Sequence, residues 1–281
     1  MSNKQIECVI MDWAGTAVDF GCFAPVNAFI KAFEEIDIHI TTAEVRIPMG
    51  MAKIEHIRWL LGMERIEKTF KNKYNRDWNE DDVVQLNRSF EKYLFATLTD
   101  YANPIPHVVD TVSMLRQKGI KFGSTTGYTR AMMDVVEPSA RAKGYFTDYC
   151  ATPDGLPKGR PAPFMIYRNM IDLNIQNTDN VVKIGDTIED IREGLNAKVW
   201  TIGVAVGSSE LGLSEAEVNE VSELALNEKT ADVRHKMMDA GAHFVIDTMA
   251  ELPGIIEHIN CILSKHEKFF SAASIQETLT E

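Results

Sequence analysis

The stretch Ile6-Glu7-Cys8-Val9-Ile10-Met11-Asp12-Trp13-Ala14-Gly15-Thr16 decides the fold. Its first six residues form a short, mainly apolar run that is typical of a buried strand, and the Asp-x-x-Gly-Thr pattern that follows predicts a turn. From Pro104 onward, short apolar runs alternate with helical patterns. This alternation predicts an α/β fold with a doubly wound, Rossmann-like parallel sheet that is covered by helices on both faces.

The later strands are predicted at 120–123, 149–151, 181–184, 200–204 and 243–246. Helical patterns lie between these strands and after the last one. The region 214–240 is predicted to be one long helical segment. The pattern at 249–263 predicts a final helix that is bent at Pro253, because proline disturbs a helix interior.

The region after the first strand has a different pattern. Between 19 and 101 no strand is predicted, whereas helices are predicted from Pro25, at 51–61 and at 83–98. A polar stretch at 71–82 separates the last two helices. The sequence therefore predicts an all-helical cap domain, 21–103, which is inserted into a core formed by 1–20 and 104–281.

Composition limits the possible partners. The chain has 281 residues and a formal net charge of −12, which argues against a nucleic-acid partner because phosphate backbones attract clustered Lys and Arg. No apolar run approaches the length of about 18 residues that crosses a membrane. Four scattered cysteines and the absence of a signal-peptide pattern predict a cytoplasmic protein with reduced thiols. The polar tail 270–281 is predicted to be poorly ordered.

Polar residues follow several predicted strands. Asp12 ends the first strand, the run 124–126 ends the second, and Asp186 with Asp190 follows a later one. Ligands of parallel α/β sheets bind at these carboxyl ends. One such Asp is often only a helix cap, but two carboxylates at the mouth of one sheet repel each other unless a cation separates them. A hard ion such as Mg²⁺ meets that need.

These motifs carry a resemblance to a known family. The run Asp-Trp-Ala-Gly-Thr at 12–16 resembles the nucleophile motif of the haloacid dehalogenase superfamily, Thr126 resembles its phosphate-binding hydroxyl, and the run 185–190 resembles its acidic metal motif. The resemblance implies a magnesium-dependent hydrolase whose nucleophile is Asp12. One position departs from the pattern: phosphatases of the superfamily carry a second Asp as general acid where this chain has Ala14.

Four further stretches, at 19–25, 48–56, 123–130 and 159–161, resemble the phosphonatase branch of this superfamily. The branch implies hydrolysis of the C–P bond of a small phosphonate, phosphonoacetaldehyde, to acetaldehyde and phosphate. It implies a Schiff base on Lys53 and an aspartyl-phosphate on Asp12, a route in which no acid at position 14 is needed. It also implies a homodimer formed through cap helices, although the apolar helix at 25–36 could equally be an internal core face.

The resemblance also implies roles for individual residues. Side chains at 53 and 56 share a helix face, so His56 is a candidate for proton relay beside Lys53. For Cys22, Met49 and Tyr128, core packing is a nearly equally good interpretation, because Met and Tyr often fill gaps. The implied set is catalytic Asp12, Lys53 and His56; substrate-binding Cys22, Met49, Thr126, Gly127, Tyr128 and Arg160; and metal-binding Asp12, Ala14 through its carbonyl, Asp186 and Asp190.

Three alternatives remain open at this point. A sugar-phosphate phosphatase or phosphomutase predicts Asp at position 14, so Ala14 counts against it. An inactive binding module would tolerate loss of Asp12 or Asp186, yet both are present. A dehalogenase would share the nucleophile but has no evident use for a magnesium site or for Lys53.

Overall fold

A computed structural model describes residues 5–265, and the predicted poorly ordered tail 270–281 lies outside these described residues. The core is one six-stranded sheet with the order β3-β2-β1-β4-β5-β6, in which every neighbouring pair is parallel. The predicted doubly wound α/β fold is thereby confirmed. The strands are β1 Cys8–Met11, β2 Lys121–Thr125, β3 Tyr149–Ala151, β4 Val181–Gly185, β5 Trp200–Val204 and β6 Phe244–Ile246.

The first strand lies at the centre of the sheet, and all of its residues are buried. Cys8 and Ile10 face the helices on one side, while Val9 and Met11 face the other side. A strand that is covered on both faces needs apolar residues at every position, which explains the continuous run. The chain leaves β1 toward β2 on one side and returns to β4 on the other, so the switch point lies at the ends of β1 and β4.

Seven helices accompany the sheet in the described part of the core. Helices α8, α9 and α11 pack on one face, whereas α6 and α12 pack on the other. The bounds are α6 Val108–Gln117, α7 Arg130–Ala142, α8 Phe164–Asp172, α9 Ile188–Ala197, α10 Glu215–Glu220, α11 Glu223–Asp239 and α12 Leu252–Ser264.

Two predictions about the last core helices were wrong. The region 214–240 is not one helical segment: Val221 is extended, and the Ser222 side chain accepts a hydrogen bond from the amide of Ala225 to cap a second helix. Pro253 does not bend the final helix but lies in its first turn, after a short 3₁₀ turn at Met249–Glu251. Proline is well tolerated there because first-turn amides need no partner within the helix.

The residues between β1 and α6 form five helices, and none of the residues 23–95 belongs to a strand. The Asn79 side chain accepts hydrogen bonds from the amides of Asp81 and Asp82, so the helix predicted at 83–98 begins three residues earlier. The same helix also ends three residues earlier. The preceding helix, which reaches into the predicted polar stretch, was missed because it buries only Ile66 and Phe70. The helices are α1 Phe23–Glu34, α2 Thr42–Arg46, α3 Lys53–Leu61, α4 Glu64–Tyr74 and α5 Glu80–Phe95.

Helices α1 to α5 are called the cap below, and the sheet with helices α6 to α12 is called the core. Helix α1 packs inside this cap. Its apolar residues are buried, and the ring of Phe29 stacks on that of Phe90 from α5 with centroids 4.2 Å apart. The sequence allowed this helix to be either a dimer surface or an internal core face. The structure buries its main apolar stripe within the chain, as expected for an internal core face. Within residues 5–265, no helix combines the length and apolar content that crossing a membrane requires.

The two connections between cap and core run side by side. The amide of Asp19 donates to the carbonyl of Asn103 at 3.3 Å, and the amide of Ile105 donates to that of Ala17 at 2.9 Å. The Asp19 carboxylate also accepts hydrogen bonds from the first amides of α1, those of Phe23 and Ala24. Because helix starts carry unpaired amides, this contact anchors the first cap helix to the end of the first connection.

Candidate active site

Three buried carboxylates meet at the switch point of the sheet. Asp12 follows β1 and Asp186 follows β4, and one oxygen from each of these and of Asp190 lies within 4.8 Å of the others. Asp186 accepts hydrogen bonds from the Thr16 hydroxyl at 3.1 Å and the Ser209 amide at 2.8 Å. Burial, with the charges of Asp12 and Asp190, raises the pKa of Asp186 well above its usual value. Such an oxygen-only cluster suits a hard divalent cation.

The turn after β1 approaches this cluster closely. Gly15 has a φ of +86°, and a Cβ atom at this position would lie 2.2 Å from a carboxylate oxygen of Asp186. Only glycine permits both this backbone conformation and this approach. The turn thereby holds Ala14 and Asp12 together on the wall of one small cavity.

Arg160 contacts two of the three carboxylates. Its Nη2 lies 2.5 Å from Asp12 Oδ1 and its Nη1 lies 3.0 Å from Asp190 Oδ1. Burial alone would lower the pKa of Arg160, but Asp12, Asp190 and Glu193 outweigh it and raise that pKa well above its usual value. A permanently charged guanidinium therefore stands beside Asp12, where it can stabilise a transferring anionic group.

Asp190 already has partners for both oxygens. Oδ1 contacts Arg160 and Lys183, while Oδ2 accepts from the Thr187 hydroxyl at 2.6 Å. Burial would raise the pKa of Asp190, but the charges of Arg160 and Lys183 outweigh burial and lower it. Its predicted role near a metal stays a prediction.

Lys53 enters the site from the cap. Its ammonium lies 5.8 Å from the ring centroids of both Phe29 and Tyr128 and 5.9 Å from that of Phe90. Burial is the main cause that lowers the pKa of Lys53. A Cβ atom at Gly127 would lie 4.0 Å from Nζ, so the amine stands directly over the turn that follows β2. Because burial disfavours the charged form, it shifts Lys53 toward the neutral amine, which is the nucleophilic form.

Two neutral groups lie close to this lysine. His56 is fully buried and stacks on Phe29 with ring centroids 4.1 Å apart. Burial and the charge of Lys53 lower the pKa of His56 well below its usual value. Burial and the nearby Asp19 carboxylate raise the pKa of the Cys22 thiol well above its usual value. The imidazole is therefore neutral and the thiol protonated at neutral pH.

These residues surround two adjoining cavities. The inner cavity, of about 30 Å³, holds both the cap amine and the core carboxylate on its walls. The outer cavity, of about 200 Å³, shares Gly50, Lys53, Thr126, Gly127 and Arg160 with it. Of the predicted residues, the inner cavity is lined by Asp12, Ala14, Cys22, Met49, Lys53, Thr126, Gly127, Tyr128 and Arg160.

Cap and core are in close contact beside the carboxylates. A Cβ atom at Gly50 would lie 2.8 Å from the Thr187 hydroxyl, so only a glycine fits between the cap loop and the start of α9. From α2 of the cap, Arg46 donates to the carbonyls of Ser209 at 3.1 Å and Gly212 at 3.4 Å. Gly50 and Thr187 both line the inner cavity, so cap and core meet at its wall.

Comparisons with known proteins identify the family of this chain. A family model described as haloacid dehalogenase-like hydrolase matches residues 6–198. A phosphonoacetaldehyde hydrolase of Bacteroides fragilis is 55% identical over 261 residues, which are 93% of this chain and 99% of that protein. One of Parabacteroides distasonis is 56% identical over 258 residues, which are 92% and 98%. The chain belongs to the phosphonoacetaldehyde hydrolase family of haloacid dehalogenase-like hydrolases.

A solved structure supports the membership. The phosphonoacetaldehyde hydrolase-like protein from Oleispira antarctica superposes with a TM-score of 0.92 at 33% identity, covering 95% of this chain and 97% of that one. The resemblance found in the sequence motifs is thereby confirmed, and the chain is a hydrolase.

Several residues of this hydrolase's site were missed by the sequence prediction. Thr16 and Ser209 bind Asp186, and Arg46 holds the loop that contains Ser209. Lys183 and Glu193 lie behind Arg160. A signal for Lys183 did exist, because a lysine within the apolar run of a central strand needs a buried partner. Nothing comparable marked the others.

Proposed function

We propose that this hydrolase cleaves the C–P bond of phosphonoacetaldehyde to release acetaldehyde and phosphate. The observation that carries the proposal is the position of the Lys53 amine over the Asp12 cavity, with Ala14 where phosphatases carry their acid. An amine and a carboxylate that face one cavity can act on the aldehyde carbon and on the phosphorus of phosphonoacetaldehyde, which are separated by one CH₂ group. The printed names of the relatives from Bacteroides and Parabacteroides support this substrate.

In this proposal Lys53 turns the carbon fragment of the substrate into a stabilised leaving group. Its neutral amine adds to the aldehyde carbon, water is lost, and the resulting imine takes up a proton to become an iminium. When the C–P bond breaks, its electron pair moves into the iminium and gives an enamine, so no carbanion and no acid at position 14 are needed. Protonation and hydrolysis of the enamine then return acetaldehyde and the free amine. Burial, which lowers the pKa of Lys53, supports the neutral amine that begins this sequence.

Asp12 is the proposed nucleophile toward phosphorus. A carboxylate oxygen attacks as the C–P bond breaks, which gives an aspartyl-phosphate that water hydrolyses to phosphate and Asp12. Arg160, whose Nη2 already contacts Asp12, offers positive charge to the transferring group. Thr126 and the amide of Gly127 stand at the end of β2 on the same cavity and are suited to bind phosphoryl oxygens.

The other predicted site residues have supporting roles in the proposal. The neutral imidazole of His56, behind Lys53, would relay protons during imine formation and hydrolysis. Cys22, Met49 and Tyr128 would shape the space around the aldehyde.

A sugar-phosphate phosphatase or phosphomutase and an inactive module are weaker alternatives. The first would need an acid at position 14, where this chain has Ala14. The second leaves the convergence of Asp12 and Lys53 unexplained. The homodimer and the cytoplasmic location stay predictions.

We propose Mg²⁺ as the cofactor, held by Asp12, the carbonyl of Ala14 and Asp186, with Asp190 acting through a water. The bound ion supplies positive charge that offsets the repulsion of the carboxylates and of the phosphonate. Titration of the chelator-treated protein with MgCl₂ in a calorimeter should show one site. Asp186→Asn should weaken that affinity by at least about 10-fold, because it removes a charged ligand. The exposed Asp110→Asn is the control, and equal affinities in the two variants would contradict the site.

The function itself is tested by incubating the protein with phosphonoacetaldehyde. Phosphate and acetaldehyde should appear in equal amounts, and borohydride should trap a two-carbon adduct on Lys53 that peptide mass mapping locates. Release of phosphate without an adduct would remove Lys53 from the mechanism. Absence of phosphate release, together with faster hydrolysis of sugar phosphates, would favour the phosphatase alternative.

A further inference from the structure

A buried ionic cluster lies behind Arg160, on the side away from the cavity. It consists of Lys183 from the middle of β4, Glu193 from α9 and Thr125 from the end of β2, and each side chain is at most 1% exposed. None of these residues lines the inner cavity. The proposed mechanism does not use them.

The cluster contacts Arg160 directly through Glu193 and Thr125, and Lys183 contacts both of these residues. Glu193 Oε2 accepts a hydrogen bond from Arg160 Nε at 3.1 Å and another from the Thr125 hydroxyl at 3.0 Å. The same hydroxyl accepts from Arg160 Nη2 at 2.9 Å and from Lys183 Nζ at 2.8 Å. Lys183 Nζ lies 3.4 Å from Glu193 Oε2 and 2.8 Å from Asp190 Oδ1.

This arrangement determines the direction of the guanidinium. Asp12 and Asp190 bind the two terminal nitrogens of Arg160, and Glu193 binds Nε on the remaining edge. Polar contacts on three edges of a planar guanidinium oppose its rotation about the stem. The supporting frame is rigid as well, because a Cβ atom at Gly194 would lie 2.1 Å from Thr201 Cγ2 and 3.1 Å from Lys183 Cβ, so α9 lies directly on the sheet.

Stability alone gives a poor explanation for such a cluster. Fully buried ion pairs are often no more stabilising than apolar side chains of the same volume. A site that must hold charge in a fixed direction does need them, because transition-state stabilisation depends on donors that are already oriented.

We propose that Glu193 and Lys183 are positioning residues that hold Arg160 in the direction in which its Nη2 meets Asp12 and the transferring phosphoryl group. This inference rests on the proposed function for the identity of that group. Glu193 acts through Nε, and Lys183 acts by holding Glu193 and the Thr125 hydroxyl in place.

The test is a double-mutant cycle between Glu193→Gln and Arg160→Lys. A lysine at 160 has no Nε, so the contact with Glu193 is absent in that background. With Arg160 present, Glu193→Gln is expected to lower kcat by about 10- to 100-fold, with a smaller rise in KM, since a small misplacement of a catalytic group has effects of this size. In the Arg160→Lys background the same change should alter kcat by less than about twofold, because the two residues then no longer interact.

Two further measurements keep the test decisive. The affinity for inorganic phosphate, measured by calorimetry, gives the same double-mutant cycle without turnover. If the wild-type protein fails to cleave phosphonoacetaldehyde, the proposed function is overturned. The cycle in phosphate affinity still tests the positioning of Arg160. If Glu193→Gln does not fold, Thr125→Val replaces it, because valine removes the shared hydroxyl at nearly constant volume. The exposed Glu228→Gln serves as control. Equal losses in both backgrounds, or no loss in either, would overturn the proposal.

Discussion

Replacing Lys53 with arginine is expected to lower the release of phosphate from phosphonoacetaldehyde by at least about 10⁴-fold, because the C–P electron pair then has no acceptor. Arginine keeps the positive charge and nearly the length of lysine, but its guanidinium does not lose a proton at working pH and forms no imine. The measurement is the rate of phosphate release under saturating substrate, together with borohydride trapping, which should give no adduct.

The control for this variant is Lys68→Arg on α4, which makes the same chemical change at an exposed position of the cap. Its rate should equal that of the wild type. Thermal unfolding of both variants shows whether the aromatic surroundings of Lys53 tolerate the larger group. A folded Lys53→Arg protein that keeps a tenth or more of the wild-type rate would exclude the imine from the mechanism.

Replacing Asp12 with asparagine is expected to abolish turnover to a similar or greater extent, at least about 10⁴-fold, because an amide is not a nucleophile toward phosphorus. The two variants differ in what remains. Lys53 is unchanged in Asp12→Asn, so borohydride should still trap the two-carbon adduct while no phosphate is released. This combination separates imine formation from cleavage of the C–P bond.

Asp110→Asn on α6 is the matched control, since it makes the same substitution at an exposed position of the core and should leave the rate unchanged. The Asp12→Asn variant should also fold, because asparagine can still accept the hydrogen bond from Arg160 Nη2. Residual phosphate release above about a thousandth of the wild-type rate would point to a nucleophile other than Asp12.

The secondary structure shows where sequence patterns are reliable. The strands were predicted from continuous apolar runs, because a central parallel strand is buried on both faces. The start of α5 was misplaced because the Asn79 cap, rather than the apolar stripe, determines it. Helix α4 was missed because most of its residues face solvent and leave only a weak apolar period. Local hydrogen bonds and exposure therefore limited these predictions.

For the site, the sequence by itself determined that Asp12 and Asp186 would meet. Each directly follows a strand, and the carboxyl ends of parallel strands lie at one edge of the sheet. The motif resemblance added Lys53, Thr126 and Arg160 as members of one site, but it contained no information on what surrounds them.

Only the tertiary structure decided those surroundings. The rings of Phe29, Phe90 and Tyr128 come from distant parts of the chain, and together they remove water from the Lys53 amine. The contact of Glu193 with Arg160 likewise exists only because α9 packs on β4 and turns that carboxylate inward. Local sequence determines where a strand or helix lies along the chain, whereas the direction and the pKa of a side chain depend on what the fold packs around it.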